Sequence, residues 1–96
     1  MSYYQRGRRY EYKTKSAMEA QGFTCIRAAS SKGLFDVVGV RPDQTLLVQV
    51  KSTTRTTKSW RDQNVRILEG LNVPAGVKKQ VWVWRVGVGK PEIIDL

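Results

Sequence analysis

The sequence predicts a small α/β domain, a mixed β-sheet flanked by helices in the order αβββαββ. Three observations predict it. Two stretches carry a stripe at helical spacing, each stopped by glycine or proline. Five short runs are rich in β-branched and aromatic residues and are bounded by turn residues. No repeat, low-complexity tract or linker divides the 96 residues, so residues 1–96 read as a single domain.

Residues 1–9 read as a basic, frayed arm carrying Arg6, Arg8 and Arg9. From about Tyr10 to Gln21, a stripe of Tyr10, Thr14, Ala17, Met18 and Gln21 predicts the first helix, which Gly22 stops. Phe23–Ala29 predicts a strand, and Ser30-Ser31-Lys32-Gly33 a loop. Leu34–Val40 and Thr45–Lys51 predict the next two strands, joined by a turn at Arg41–Gln44 with Pro42 near its start. The polar segment 52–59 reads as a surface loop holding Arg55 and Lys58. A second helix is expected from about Trp60 to Leu71, with Ser59 as N-cap and a face of Trp60, Asn64, Ile67, Leu68 and Leu71. Pro74 and Gly76 break the chain before a strand at Gln80–Val86, apolar on both faces. Glu92–Leu96 closes as a short strand.

Composition narrows the chemistry. The chain has no histidine and one cysteine, Cys25. That removes Ser-His-Asp and Cys-His catalysis, histidine-bound metals, an intrachain disulfide and a thiolate zinc site. Catalysis is left to carboxylates, Lys, Arg, Tyr or a hard metal ion. Lys and Arg number 17 against 8 acidic residues, a net charge of +9. Such an excess on a small domain favours a polyanion, nucleic acid first. A membrane surface fits less well, because no basic amphipathic helix has a strong apolar face. Met1–Arg6 lacks the apolar core of a signal peptide, so a secreted protein is not expected.

The second and third strands carry the informative pattern. With Val40 opposite Thr45, partners sum to 85, which sets Asp36 against Gln49 as a direct cross-strand pair. Their oxygens suit one hard cation. Lys51 lies two residues beyond Gln49 and points to the same face, while Leu46, Val48 and Val50 face the core. Taken singly, each residue has a plainer reading. Asp36 would cap a loop or pair with Lys51, Glu11 would favour the helix dipole, and Arg27 would sit on the surface. Trp82 and Trp84 read as core or interface rather than as base-stacking platforms.

Asp36, then twelve residues, then Gln49-Val50-Lys51 resembles the PD-(D/E)xK core of restriction-endonuclease-like nucleases. Glu11 in the first helix, eleven residues before Gly22-Phe23, Arg27 in the first strand and the serine loop before Asp36 extend the pattern over nearly the whole chain. Together they resemble the archaeal-type Holliday-junction resolvases. The resemblance implies a structure-specific endonuclease that hydrolyses phosphodiesters in four-way DNA junctions. It implies Mg²⁺, with Mn²⁺ as substitute, held by Asp36, Gln49, the Val50 carbonyl and Glu11, directly or through water. Lys51 and Arg27 complete the implied catalytic set. Arg6, Arg8, Arg9, Ser30, Ser31, Lys32, Arg55 and Lys58 are the expected DNA contacts. A homodimer is expected, with contacts at the Val81–Trp84 strand or at the second helix, in the cytoplasm of a prokaryotic cell or its virus. One departure stands out: the family has glutamate where this chain has Gln49. Nucleases resembling the Mrr-type restriction enzymes use QxK, so an amide is compatible with cutting. The rival readings are a restriction-like or flap nuclease of the same fold, and a junction-binding protein whose catalysis is impaired.

Overall fold

A computed structural model describes residues 3–28, 34–54 and 58–96. Its elements are α1 (Tyr3–Ala20), β1 (Thr24–Arg27), β2 (Val37–Arg41), β3 (Gln44–Thr53), α2 (Lys58–Glu69), β4 (Val77–Arg85) and β5 (Pro91–Asp95). This is the expected αβββαββ order. The five strands form one sheet in the spatial order β1-β2-β3-β4-β5. β3 and β4 run parallel, and the other neighbouring pairs antiparallel. A parallel pair needs a crossover, which α2 supplies.

Side-chain alternation sends the two faces of the sheet to different helices. Leu46, Val48 and Val50 of β3, with Trp82 and Trp84 of β4, pack with Tyr10 and Met18 of α1. Val81 and Val83 of β4 face the other way and pack with Val65 and Leu68 of α2. Two polar groups inside the α1 layer satisfy each other: Trp84 Nε1 donates to Thr14 Oγ1 at 2.8 Å, and the Thr14 hydroxyl donates to the Tyr10 carbonyl at 2.8 Å. Gly39 is fixed by crowding, since a Cβ there would lie 2.5 Å from the Met18 methyl and 3.1 Å from the Phe23 ring. On the α2 side, buried Lys79 donates to the carbonyls of Leu68 and Leu71, each at 2.6 Å, and so caps the helix C-terminus.

Four expectations need correction. Residues 3–9 are not a frayed arm, because α1 begins at Tyr3 and carries Arg6, Arg8 and Arg9 on helical turns. Arginine is a good helix former, and Arg8 lies 5.9 Å from the ring of Tyr12, one turn on. Ser59 is not an N-cap, because α2 starts at Lys58. The buried stripe of α2 is Val65 and Leu68, whereas Ile67 is 65% exposed. The apolar strand β4 does not await a partner: Val81, Trp82, Val83 and Trp84 are all buried by the chain's own helices.

Candidate functional site

The β2–β3 hairpin follows the expected register from its turn. Arg41↔Gln44, Val40↔Thr45, Val38↔Leu47 and Val37↔Val48 are partners. The expected next pair, Asp36 with Gln49, does not form. The Asp36 N–H donates instead to the Val48 carbonyl at 2.8 Å, one residue short of that register. Phe35 packs in the α2 layer, yet Val37, two residues later, belongs to the α1 layer. Regular alternation would put both on one face, so the strand kinks at Asp36. The kink turns the carboxylate onto β3, where Oδ2 accepts the N–H of Val50 at 2.9 Å. Aspartate readily captures a backbone donor in this way.

The kink replaces the expected pairing with Gln49 by bonds to its two neighbours. Asp36 is bound to the two residues that flank Gln49, through Val48 O and Val50 N. Lys51 follows, and Gln49 and Lys51 share one face of β3, opposite the buried Val48 and Val50. Burial pushes the Asp36 carboxyl above its ordinary pKa, opposed by the Val50 hydrogen bond and the Lys51 charge. A half-buried carboxylate in that state gains from a cation. Among the described residues no three His, Cys, Asp or Glu side chains gather as a metal cluster. The same stretch of β3 offers two neutral, hard oxygens, the Gln49 amide and the Val50 carbonyl. This all-oxygen set fits a hard divalent ion with only one protein charge facing it.

A second set lies on α1 and β1. Arg27 is the Cα partner of Val37, next to Asp36, and the Ala28 N–H donates to the Asp36 carbonyl at 2.8 Å. Arg27 Nη1 donates to Glu11 Oε1 at 2.8 Å, with the two side chains 13% and 20% exposed. The Glu11 bond, followed by the Tyr12 hydroxyl, holds the guanidinium firmly in its charged form. Each carboxylate has its own donor, Glu11 the Arg27 guanidinium and Asp36 the Val50 N–H.

Tyr12 is the residue that sequence reasoning missed. Its ring is 45% exposed and lies 4.7 Å from the Arg27 guanidinium carbon. Hydrogen bonds from Arg27 and then Arg8 lower its phenol pKa. The helical spacing Arg8, Glu11, Tyr12 was the available signal. Of the expected DNA contacts, Arg8 and Arg9 are exposed on α1, and Arg6 is half-buried. Ser30, Ser31, Lys32 and Arg55 lie outside the described residues, and Lys58 is placed only as the first residue of α2. No described helix is long and apolar enough to cross a membrane.

A solved structure shares this fold. The structure of Archaeoglobus fulgidus Hjc, a Holliday junction resolvase from an archaeal hyperthermophile, superposes with a TM-score of 0.58 at 20% identity. The match covers 94% of this chain and 84% of that one, and it shows a common fold. No curated protein sequence matches the chain. The sequence pattern of the archaeal Holliday junction resolvase family matches residues 2–76, across α1, the β1–β3 sheet and α2. With this match over most of its length, the chain belongs to the archaeal Holliday junction resolvase (Hjc) family, a group of metal-dependent nucleases.

Proposed function

We propose that the 96 residues form one nuclease domain that cuts four-way DNA junctions with Mg²⁺, and that Mn²⁺ can replace it. The observation that carries this reading is the Asp36 kink, which sets a half-buried carboxylate against Val50 and Lys51 inside the family's matched region. Asp36, Gln49 and the Val50 carbonyl would hold the ion, with Glu11 assisting directly or through water. When bound, the ion polarises a phosphate oxygen and favours attack by water. Lys51 holds that water and offsets the negative charge growing on phosphorus. Water oxygen bonds to phosphorus, one ester P–O bond breaks, and a hydroxyl and a phosphate monoester result. Arg27, pinned by Glu11, offers its remaining N–H groups to the scissile phosphate.

The working unit in this reading is a homodimer that nicks paired strands symmetrically, acting in the cytoplasm. Ile67, 65% exposed on α2, supports a contact on that face. Light scattering at tens of micromolar should return a dimer mass, and a monomer mass would reject this part.

The test of function is cleavage of a fixed four-way junction beside linear, nicked and flapped duplexes in Mg²⁺. The junction should be cut far faster than the others. Preferred cutting of the flap would favour another nuclease of this fold. Tight junction binding with no cleavage even in Mn²⁺ would mark a binding protein whose catalysis Gln49 has impaired.

A further inference from the structure

The helix α1 has a second basic flank that the proposed chemistry does not use. Arg9 and Lys13 stand one turn apart and face the turn between β4 and β5. Two adjoining depressions of about 400 and 380 Å³ open there, and both are lined by Arg9, Lys13 and Gly89. Trp84 and Tyr12 wall the first, and the segment 86–89 walls the second. Lys13 Nζ stands 5.2 Å from the ring centre of Tyr10 and 5.7 Å from that of Trp84, so aromatic faces hold it in place. Among the described residues no carboxylate pairs with Arg9 or Lys13.

Gly89 adds an independent sign. Gly87 has a reason to be glycine within the chain, its φ of +85° in the turn. Gly89 has neither a left-handed φ nor a crowded Cβ, since an added Cβ would meet nothing within 4 Å. Bare backbone beside two free cations lets another chain approach closely. Cations, an aromatic wall and an open backbone edge together suit the sugar-phosphate backbone of DNA.

This groove adjoins the proposed scissile site across Tyr12, which walls the first depression and lies against Arg27. Arg9 and Glu11 are two residues apart on a helix, so they project about 200° apart around its axis. Arg27 belongs to β1, at the opposite edge of the sheet from β5. Around the helix Tyr12 falls between Arg9 and Glu11, so a strand held by Arg9 and Lys13 lies on the far side of Tyr12 from Arg27. We propose that the groove between α1 and the β4–β5 turn binds the backbone of a second DNA arm, and that it underlies preference for a branched substrate over a linear one. The inference rests on the junction-nuclease reading above.

The test uses the full chain in EDTA, with a labelled fixed four-way junction and a linear duplex of the same arm sequence. Gly89→Glu and Gly89→Lys place opposite charges in open space at little steric cost. Asn72→Glu and Asn72→Lys make the same changes on an exposed residue between α2 and β4, at the far end of the sheet. Gly89→Glu should weaken junction binding several-fold, and Gly89→Lys should tighten it, with linear duplex moving less. Lys13→Gln should lower the salt slope of junction binding by about one unit. Shifts at Gly89 no larger than those at Asn72, or equal shifts for junction and linear duplex, would overturn the groove. A parent chain that shows no preference for the junction would overturn the groove and the junction-nuclease reading together.

Discussion

The β2–β3 hairpin is closed at one end and left open at the other. At the turn, Arg41 is held through both terminal nitrogens and one ring contact. Its Nη1 donates to the Gln21 carbonyl at 3.1 Å, its Nη2 donates to Gln44 Oε1 at 2.8 Å, and its guanidinium carbon lies 4.3 Å from the Phe23 ring centre. There the ladder is regular and the charge serves to tie the hairpin to the end of α1. At the other end the ladder breaks at Asp36, and burial raises the energy of a carboxylate that has one backbone donor and a nearby ammonium. Two charged residues in one strand pair thus do opposite work. One is tied to its neighbours through both terminal nitrogens and stabilises the fold, while the other has a single backbone donor and is ready for a cation.

Substitutions at the open end should therefore change chemistry, and those at the closed end should change stability. The largest effect is expected from Lys51→Ala, which should slow junction cleavage by about 100-fold or more while junction binding persists. Retained cleavage would move the water-positioning role elsewhere. Arg27→Ala and Glu11→Ala should each cost about tenfold, and the double variant should be little worse than either, because the two act as one pair. Additive losses would mean that Glu11's share at the metal outweighs its hold on Arg27. Gln49→Glu adds a second carboxylate near Asp36, so it should lower the Mg²⁺ concentration for half-maximal cleavage and raise the rate several-fold. An equal or worse variant would make the amide this chain's proper ligand. Arg41→Ala, at the closed end, should cost about 1 kcal/mol of stability and leave the cleavage rate of folded protein unchanged.

Much of this contrast was legible in the sequence. Pro42 and Asp43 at the turn fixed the register of Val37 to Arg41, and alternation placed Leu46, Val48 and Val50 in the core. The kink was not legible, because alternation carries no mark of a side chain that leaves the ladder to bind a backbone N–H. The only hint was the residue type, since aspartate competes for such donors. The helix α2 shows another limit. Its sequence holds two overlapping stripes, one through Ile67 and one through Val65, with Leu68 common to both. Packing against Val81 and Val83 decides between them and buries Val65. That choice lies in the sheet and not in the helix. The Glu11–Arg27 pair was visible only as two family-like positions; their 2.8 Å contact depends on how α1 crosses β1.

Asp36→Asn tests the central claim most directly, because it removes the open end's charge and keeps its shape. Two readouts belong to one sample: junction cleavage with and without Mg²⁺, and thermal melting without metal. Burial raises the Asp36 carboxyl pKa above its unfolded value, so the parent's stability from this group is full at low pH and is lost as pH rises through the native pKa. The amide can still accept the Val50 N–H and has no charge to desolvate. The parent should cut junctions only with Mg²⁺, Asp36→Asn should not cut them, and the variant should melt higher at neutral pH by a margin that closes in acid. Mg²⁺-dependent cleavage by Asp36→Asn within a few-fold of the parent would contradict the account.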